Sequence, residues 1–283
     1  AWNAGIYAQD EISAGRKWTF TAGARYDYYR ITGTFMESNI SPKLAAVFRP
    51  NKNLSFRSLV ARAFRNPSIA ERFTKFEQGG GLTFQVSPKL KAEKLTLSAE
   101  LGSKISVGSK LKLDIALYYN HYKDLISYKQ ISNPGDPLRF EVVNLNKAVM
   151  QGAEISAEFD ISKKLAVMAG YNYLDARDAS PGRLNDVLPY KSKHTAYANV
   201  IYTFKYFHLS LMARSRSRID EVFIYPKSEP DGYLLFNGKL SARFTRSLSG
   251  YIQVDNITDV QYEEIERYRL PGRTFGLGVN FSF

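Results

Sequence analysis

The stretch 274–283 reads Thr-Phe-Gly-Leu-Gly-Val-Asn-Phe-Ser-Phe, and it decides the fold. From Phe275 onward, every second residue is large and apolar, and the residues between are glycine, asparagine or serine. Because side chains alternate between the two faces of a β-strand, this pattern predicts a strand with one apolar face and one small, polar face. The predicted apolar face consists of Phe275, Leu277, Val279, Phe281 and Phe283.

The same alternation recurs along the chain, most clearly over 18–28, 111–120 and 207–216. Tyr and Phe, which are favoured in strands, are abundant, with 19 and 18 copies. The sequence therefore predicts an all-β fold of about thirteen strands, with boundaries uncertain by a few residues. The predicted strands lie near residues 4–14, 17–30, 39–50, 53–65, 91–107, 109–130, 138–160, 163–177, 188–204, 206–222, 232–246, 247–258 and 272–283.

The connections between these strands alternate strictly between short and long. The long ones lie at 31–38, 66–90, 131–137, 178–187, 223–231 and 259–271. A soluble two-sheet sandwich has no reason to alternate in this way, whereas outer-membrane barrels have short periplasmic turns and long extracellular loops. The pattern predicts a transmembrane, antiparallel, up-and-down β-barrel of the bacterial outer membrane.

Composition excludes several other classes of protein. The chain has no cysteine, so neither a disulfide framework nor a thiolate metal site is possible. No window of 18 or more apolar residues predicts a transmembrane helix. The formal net charge is +12, but the basic residues are scattered and no nucleic-acid-binding motif occurs, so nucleic acid is not an expected partner. Lipopolysaccharide phosphates or an acidic ligand are better candidates for the excess charge.

Thirteen is an unexpected number of strands for a closed barrel. Bacterial single-chain barrels use even numbers, and an open sheet would expose two unpaired edges to lipid. Plugged outer-membrane transporters have 22 strands. We therefore expect residues 1–283 to form one partial barrel domain, completed by amino-terminal strands and a plug domain outside this chain.

Short motifs lie in order along the whole chain. They are Gly5–Glu11 with Thr21–Asp27, Ser41–Leu44, Ala63–Phe73, Leu90–Lys94, Tyr118–Asn120 with Asp124–Ile126, Val143-Asn144 with Gly152–Glu154, Asn256–Asp259 with Tyr262, Pro271–Phe275, and Phe283. Each motif is weak alone, but their order and spacing resemble those of TonB-dependent outer-membrane receptors for siderophores, cobalamin and similar scarce nutrients. Ala92 replaces the proline of the family's Leu-Lys-Pro-Glu motif, and neither a plug domain nor a TonB box occurs among these residues.

The resemblance implies an active-transport receptor. Its extracellular loops would bind a ferric siderophore or cobalamin, and a plug moved by the TonB complex would admit the ligand to the periplasm. Outer-membrane lipid, including lipopolysaccharide, and the barrel assembly machinery would be further partners, the latter through the apolar face that ends at Phe283. Two alternatives remain: a passive porin-like channel complete in about fourteen strands, and a surface barrel enzyme. The sequence does not separate iron, cobalt and sugar cargoes.

The expected ligand contacts lie where the lumen opens outward. Arginine and aromatic side chains suit the capture of a bulky polar ligand. The loop near 66–90 offers Arg65, Glu71, Arg72, Phe73 and Phe76, and the last loop offers Arg267, Tyr268 and Arg269.

No enzyme, cofactor or metal site is expected from the sequence. The three histidines, His121, His194 and His208, are far apart and not in metal-ligand spacing. No nucleophile elbow, phosphate loop or zinc motif occurs.

Overall fold

The computed structural model describes residues 1–31, 33, 35–78, 82–133, 135–182 and 186–282. Phe283, the last residue of the predicted apolar face, lies outside the described residues. Nearly all of the regular structure is β-strand, as the period-two pattern predicts. None of the helical structure in these ranges has the length and apolar character needed to cross a membrane.

One antiparallel sheet contains thirteen long strands that follow one another in the order β1-β2-β3-β4-β7-β8-β9-β10-β11-β12-β13-β14-β17. Apart from the short loop strands, every strand pairs with its neighbour in sequence, which confirms the predicted up-and-down topology. The elements are β1 (Trp2–Ala14), β2 (Trp18–Ile31), β3 (Phe35–Asn51), β4 (Leu54–Arg65), α1 (Ile69–Phe73), β5 (Phe76–Gln78), β6 (Leu82–Gln85), β7 (Glu93–Val107), β8 (Leu111–Gln130), β9 (Arg139–Ser162), β10 (Leu165–Asp178), β11 (His194–Phe204), β12 (Phe207–Arg216), β13 (Tyr233–Arg243), β14 (Leu248–Asp255), β15 (Glu263–Ile265), β16 (Tyr268–Arg269) and β17 (Thr274–Phe281).

Cross-strand register aligns the apolar positions of neighbouring strands. Ile6 faces Tyr26 across β1 and β2, and Trp18 faces Phe48 across β2 and β3. Leu277 faces Ile252 across β17 and β14. Because register sets which residues share a face, each strand adds to one continuous apolar surface and one polar surface.

The chain divides into two compact units. Unit 1 comprises 1–102, 117–152 and 175–189, and unit 2 comprises 103–116, 153–174 and 190–283. In unit 1 the fully buried apolar residues include Leu90, Ala92 and Phe140. In unit 2 they include Ile219 and Val222. Most of these residues lie in long loops or at strand ends. The apolar side chains of the strands are largely exposed, so in each unit the buried core forms where the long loops fold.

Three predicted strands differ from the structure. β3 begins at Phe35 rather than near residue 39, so the connection predicted as long over 31–38 spans only residues 32–34 and is an exception to the alternation of short and long connections. The other two predicted strands are shorter than expected. The prediction gave strands over 188–204 and 206–222, whereas β11 begins at His194 and β12 ends at Arg216. The segments beyond them meet through the isolated bridge Ser192↔Ile219 and the Lys193–Asp220 ion pair, at 2.8 Å. Tyr190 has a φ of 60°, which no regular strand permits. These segments contain apolar residues because they pack as loops, and those residues led to the prediction of longer strands.

Candidate functional site

Arg65 joins three elements at the long-loop end of unit 1. It is the last residue of β4, and its Nη1 donates to both carboxylate oxygens of Glu71 in α1, at 3.0 and 3.1 Å. Its Nη2 donates to Glu93 Oε2 at the start of β7, at 3.2 Å. The Glu93 carboxylate also accepts the Ile126 N–H of β8, at 3.1 Å. Arg65 therefore fixes the loop helix against the strand ends.

The helix α1 begins with a capping box. Ser68 Oγ accepts the Glu71 N–H at 3.1 Å, and Glu71 Oε2 accepts the Ser68 N–H at 2.6 Å. Partial burial opposes ionisation of Glu71, but the hydrogen bonds from Ser68 and Arg65 outweigh it and lower the pKa of this carboxyl. The reciprocal bonds satisfy backbone donors that a short helix would otherwise leave free.

Arg72 is a buried cation with few partners. Only 2% of its surface is exposed, and its Nη2 donates to the Leu90 carbonyl at 2.5 Å. Its guanidinium carbon lies 3.8 Å from the centre of the Phe35 ring. Its Nε and Nη1 have no acceptor among the described residues. Burial lowers the pKa of Arg72, against the opposing effect of nearby Tyr29 and Glu37. The side chain holds the loop down on β3.

The rest of the same loop reaches as far as β9. Strands β5 and β6 form a hairpin, and β6 pairs in parallel with β9, with Thr83 opposite Arg139. The Asn144 amide then ties Lys91 to the outer part of β9, accepting the Lys91 N–H at 2.9 Å and donating to its carbonyl at 3.1 Å. The segment predicted as an irregular loop is thus a folded structure.

Aromatic rings line the hairpin. The Phe84 ring centre lies 6.3 Å from that of Phe76, 5.4 Å from that of Tyr128 and 5.6 Å from that of Phe140. Phe140 is fully buried, whereas Phe76 is 54% exposed and Phe73 in α1 is 40% exposed. We call Phe76, Phe84, Tyr128 and Phe140 the aromatic row; Phe73 is a separate exposed ring on α1. Phe76 lies next to Phe84, and Phe84 lies next to the buried Phe140, so the exposed Phe76 ring is supported by buried aromatic side chains.

The predicted contacts in this loop therefore have two roles. Arg65 and Glu71 bond to each other and to neighbouring groups of the loop and strand ends, Arg72 is buried against Leu90 and Phe35, and Phe73 and Phe76 face solvent. Sequence analysis missed Phe84, Tyr128 and Phe140. The alternation Leu82-Thr83-Phe84-Gln85-Val86 after three glycines could have predicted the hairpin, but nothing local predicts its pairing with β9.

The second predicted group lies in the last loop, in unit 2. Arg267 has a φ of 62°, its N–H donates to Glu263 Oε2 at 2.9 Å, and its guanidinium lies 4.0 Å from the Tyr225 ring centre. Tyr268 is 65% exposed. Arg269 is exposed and pairs with Glu263 in the small β15–β16 sheet. It also lines a polar pocket of about 220 Å³, together with Glu229, Asp231 and Tyr262.

Tyr190 lies in the part of its loop that belongs to unit 2, and it joins that segment to two long loops of the same unit. Its hydroxyl donates to Glu266 Oε1 at 2.5 Å and accepts the Ile224 N–H at 3.3 Å, and its N–H donates to the Glu221 carbonyl at 2.9 Å. Glu266 is only 4% exposed, and its Oε2 has no partner among the described residues. Burial and the hydrogen bond to Glu266 raise the pKa of Tyr190. We call this arrangement the Tyr190 clasp.

Arg214 and Arg216 also hold the last loop. Arg214 Nη2 donates to Glu264 Oε1 at 3.0 Å, and Arg216 Nη2 donates to the Glu263 carbonyl at 2.8 Å. The Tyr233 hydroxyl donates to the same Glu264 oxygen as Arg214, at 2.9 Å. The loop that offers Arg267, Tyr268 and Arg269 is therefore anchored to β12 and β13.

The histidines make ordinary local contacts. His121 Nδ1 lies 2.7 Å from Thr96 Oγ1, His194 Nδ1 lies 2.7 Å from the Tyr171 hydroxyl, and His208 Nδ1 lies 3.2 Å from Thr203 Oγ1. Within the described ranges, no three His, Asp or Glu side chains converge in a way that could hold a metal ion.

The predicted assembly signal lies on β17. One face of this strand exposes Phe275, Leu277, Val279 and Phe281. The strand pairs with β14, and on its other face Gly278 lies opposite Tyr251. The small face is needed there, because a Cβ at Gly278 would lie 2.2 Å from the Tyr251 ring. The tyrosine lies flat across the glycine.

Comparison with known proteins gives the family. Residues 1–257 match the family described as TonB dependent receptor-like, beta-barrel. The Heme/hemopexin utilization protein C of Haemophilus influenzae (strain 86-028NP) is 25% identical over 200 residues, which cover 63% of this chain and 28% of that protein.

Solved structures share the fold. The copper transporter OprC superposes with a TM-score of 0.81 at 20% identity, over 99% of this chain and 48% of that one. A mutant of the ferric enterobactin receptor PfeA from Pseudomonas aeruginosa gives 0.76 at 20% identity, over 99% and 45%. The chain thus spans less than a third of the curated relative and about half of each solved structure. It belongs to the TonB-dependent receptor-like β-barrel family, whose members lie in the outer membrane of Gram-negative bacteria.

Proposed function

We propose that this chain forms part of the wall and outer vestibule of a receptor that captures an iron chelate, either a ferric siderophore or haem. The exposed rings Phe73 and Phe76 are the observation on which the proposal rests. Both belong to a loop that Arg65 fixes to α1 and β7, and Phe76 is supported by Phe84, so the two rings offer a preformed surface to a flat or aryl-bearing ligand.

We favour an iron chelate over cobalamin as the ligand because similar proteins are named for binding or using iron compounds. One relative is named for haem utilization, and one neighbour in fold is a ferric enterobactin receptor. The last loop supports the same ligand class. Arg269 and Tyr268 are exposed there, and arginine suits the carboxylates or phenolates that surround a chelated ferric ion.

Members of the family are transport receptors, and they have a plug domain and interact with TonB. We propose that further barrel strands and such a plug complete this protein, and that TonB-derived energy acting on the plug releases the chelate into the periplasm. The barrel itself does no chemistry on the chelate. Lipopolysaccharide and the barrel assembly machinery are proposed as its other partners, the latter through the apolar face of β17.

The test is binding and uptake by cells that depend on the intact receptor containing this chain for iron. Cells would be given radiolabelled ferric enterobactin, haem or cyanocobalamin, with and without a functional TonB. Uptake of one iron chelate that stops without TonB is the expected result. Uptake that continues without TonB would instead indicate a porin-like channel.

The two exposed rings are tested by Phe73→Ala with Phe76→Ala. Because each aromatic contact contributes about 0.5–1.5 kcal/mol beyond its buried area, the double variant should bind the chelate about tenfold more weakly at the cell surface. Tyr206→Ala is the matched control, because Tyr206 is a still more exposed ring that lies in a short turn. Equal binding by the double variant and the wild type would contradict the proposed surface.

A further inference from the structure

The short turns of the sheet are uniformly basic. Six of them join consecutive long strands, at residues 15–17, 52–53, 108–110, 163–164, 205–206 and 244–247. Each contains lysine or arginine, and none contains aspartate or glutamate. The basic residues are Arg16, Lys17, Lys52, Lys110, Lys163, Lys164, Lys205 and Arg246. The long loops carry both signs of charge, so much of the net charge of +12 belongs to the short-turn end.

In unit 1, a line of aromatic rings lies next to these turns on the apolar face. The Trp18 ring is stacked 4.4 Å from Phe48 and 5.5 Å from Phe20, and Phe48 lies 6.5 Å from Phe56. Aromatic residues at the ends of membrane-spanning strands typically lie at the boundary between the hydrocarbon and the headgroups of a membrane. Short turns in outer-membrane barrels face the periplasm, so this boundary belongs to the inner leaflet.

A depression opens on the hydrocarbon side of that aromatic line. Its volume is about 450 Å³. The register places two small residues, Ala46 and Ser58, side by side as its floor. Phe20 lies opposite Ala46 on β2, and the next row along the strands contains Leu44 and Val60. A concave apolar surface in contact with hydrocarbon fits an acyl chain.

Three cations lie in the short turns next to the depression, and no described carboxylate pairs with them. Arg16 and Lys17 occupy the β1–β2 turn, and Lys52 occupies the β3–β4 turn, directly beyond Phe48 and Phe56. All three side chains are exposed, and none forms an ion pair with any residue in the described ranges. In the chain's other hairpins some turn lysines already have a partner, such as Lys164 and Lys205, which lie 5.4 and 5.5 Å from the Phe204 ring centre.

We propose that unit 1 binds a phospholipid of the inner leaflet, with its phosphate at Arg16, Lys17 and Lys52 and one acyl chain in the depression over Ala46 and Ser58. The three exposed cations complement the negative charge of the phosphate. The aromatic line lies between these cations and the depression, where it would contact the glycerol part of the lipid. This site is separate from the aromatic row and does not depend on which nutrient the receptor carries.

The experiment is native mass spectrometry of the intact receptor in detergent, with phosphatidylglycerol added and diacylglycerol of the same acyl chains as the comparison. The wild type should retain phosphatidylglycerol and release diacylglycerol. Each basic side chain near an anionic membrane surface contributes about fivefold in affinity. The triple variant Arg16→Gln, Lys17→Gln, Lys52→Gln should therefore retain at least tenfold less phosphatidylglycerol.

Matched controls separate the site from general charge and packing. Lys89→Gln, Lys91→Gln and Lys129→Gln remove the same charge from the long-loop end and should leave retention unchanged. Ser58→Phe fills the depression and should reduce retention, whereas Ala24→Phe adds the same ring elsewhere on the apolar face and should not. Ser58→Leu makes the same test if the phenylalanine prevents folding, which heat-dependent gel mobility reports.

Three outcomes would overturn the proposal. The first is equal retention of phosphatidylglycerol by the triple variant and the wild type. The second is equal retention of phosphatidylglycerol and diacylglycerol by the wild type. The third is preferential retention of lipopolysaccharide through Arg16, Lys17 and Lys52, which would assign the site to the other leaflet.

Discussion

Replacing Tyr190 with phenylalanine should loosen three loop segments at once: its own and the two that contain Ile224 and Glu266. The substitution keeps the ring against Phe223, whose centre lies 4.8 Å away, and removes only the hydroxyl. Two hydrogen bonds disappear, the 2.5 Å bond to Glu266 and the 3.3 Å bond from the Ile224 N–H. The buried Glu266 carboxylate, which already has one oxygen without a partner, then loses its Tyr190 bond as well.

The magnitude follows from these bonds. A hydrogen bond to a charged group contributes about 1.5–3 kcal/mol, and a buried donor left unsatisfied costs about 1–3 kcal/mol. Ile224 N–H is only partly buried, so the lower end applies to it. The free energy of opening the loops should fall by about 3 kcal/mol, which corresponds to roughly a hundredfold faster amide exchange.

The assay is hydrogen–deuterium exchange of the intact receptor, followed by mass spectrometry of peptides that cover 186–193, 217–232 and 256–273. All three peptides should exchange faster in Tyr190→Phe. Tyr268→Phe removes a hydroxyl from an exposed ring of the last loop and should change none of them. Faster exchange in 186–193 alone would refute the clasp, because it would mean that Tyr190 stabilises only its own loop.

Two further predictions concern the loop that contains α1. The pKa of Glu71 is lowered in the folded protein, so its contribution is present above the usual glutamate pKa and is lost as the pH falls below it. Exchange over 66–78, corrected for its intrinsic pH dependence, should therefore accelerate below about pH 4.5 in the wild type. It should be faster, with a weaker pH dependence, in Glu71→Gln, and Glu77→Gln should resemble the wild type. Arg72 is buried and forms no ion pair with any described residue, so Arg72→Met should preserve the loop to within about 1 kcal/mol, because an apolar side chain of similar length avoids the cost of burying a charge. Arg72→Ala should destabilise it by about 2 kcal/mol or more through the cavity it leaves, and equal exchange in the two variants would show that packing over Phe35 does not matter.

The thirteen strands were predictable because each obeys a local rule. In a strand that faces lipid on one side, every second residue is apolar, as at Phe275 and Leu277, so the sequence itself shows which side chains face the lipid. The short and long connections then fixed the direction of each hairpin. The capping box at Ser68 and Glu71 is equally local, and it could have predicted α1 within the loop.

The candidate site was less predictable because distant contacts decide it. Arginine is a residue type expected at a solvent-exposed ligand contact, yet Arg72 is buried against Leu90 and Phe35. Nothing near Tyr190 in the sequence indicates that its partner is Glu266, which lies in the last loop. Residue type predicted which loops carry arginine and aromatic side chains, and only the folded loops separate the exposed rings from the residues that support them.

The parallel pairing of β6 with β9 has a consequence for the order of biogenesis. Thr83 precedes Arg139 by several strands, so the loop that follows β4 cannot reach its final form until β7, β8 and β9 have been added to the growing wall. Closing so long a segment is entropically costly and comes late in folding. The vestibule on this side is therefore finished only after the strands beneath it, and an unfinished barrel would display this segment unstructured at the cell surface.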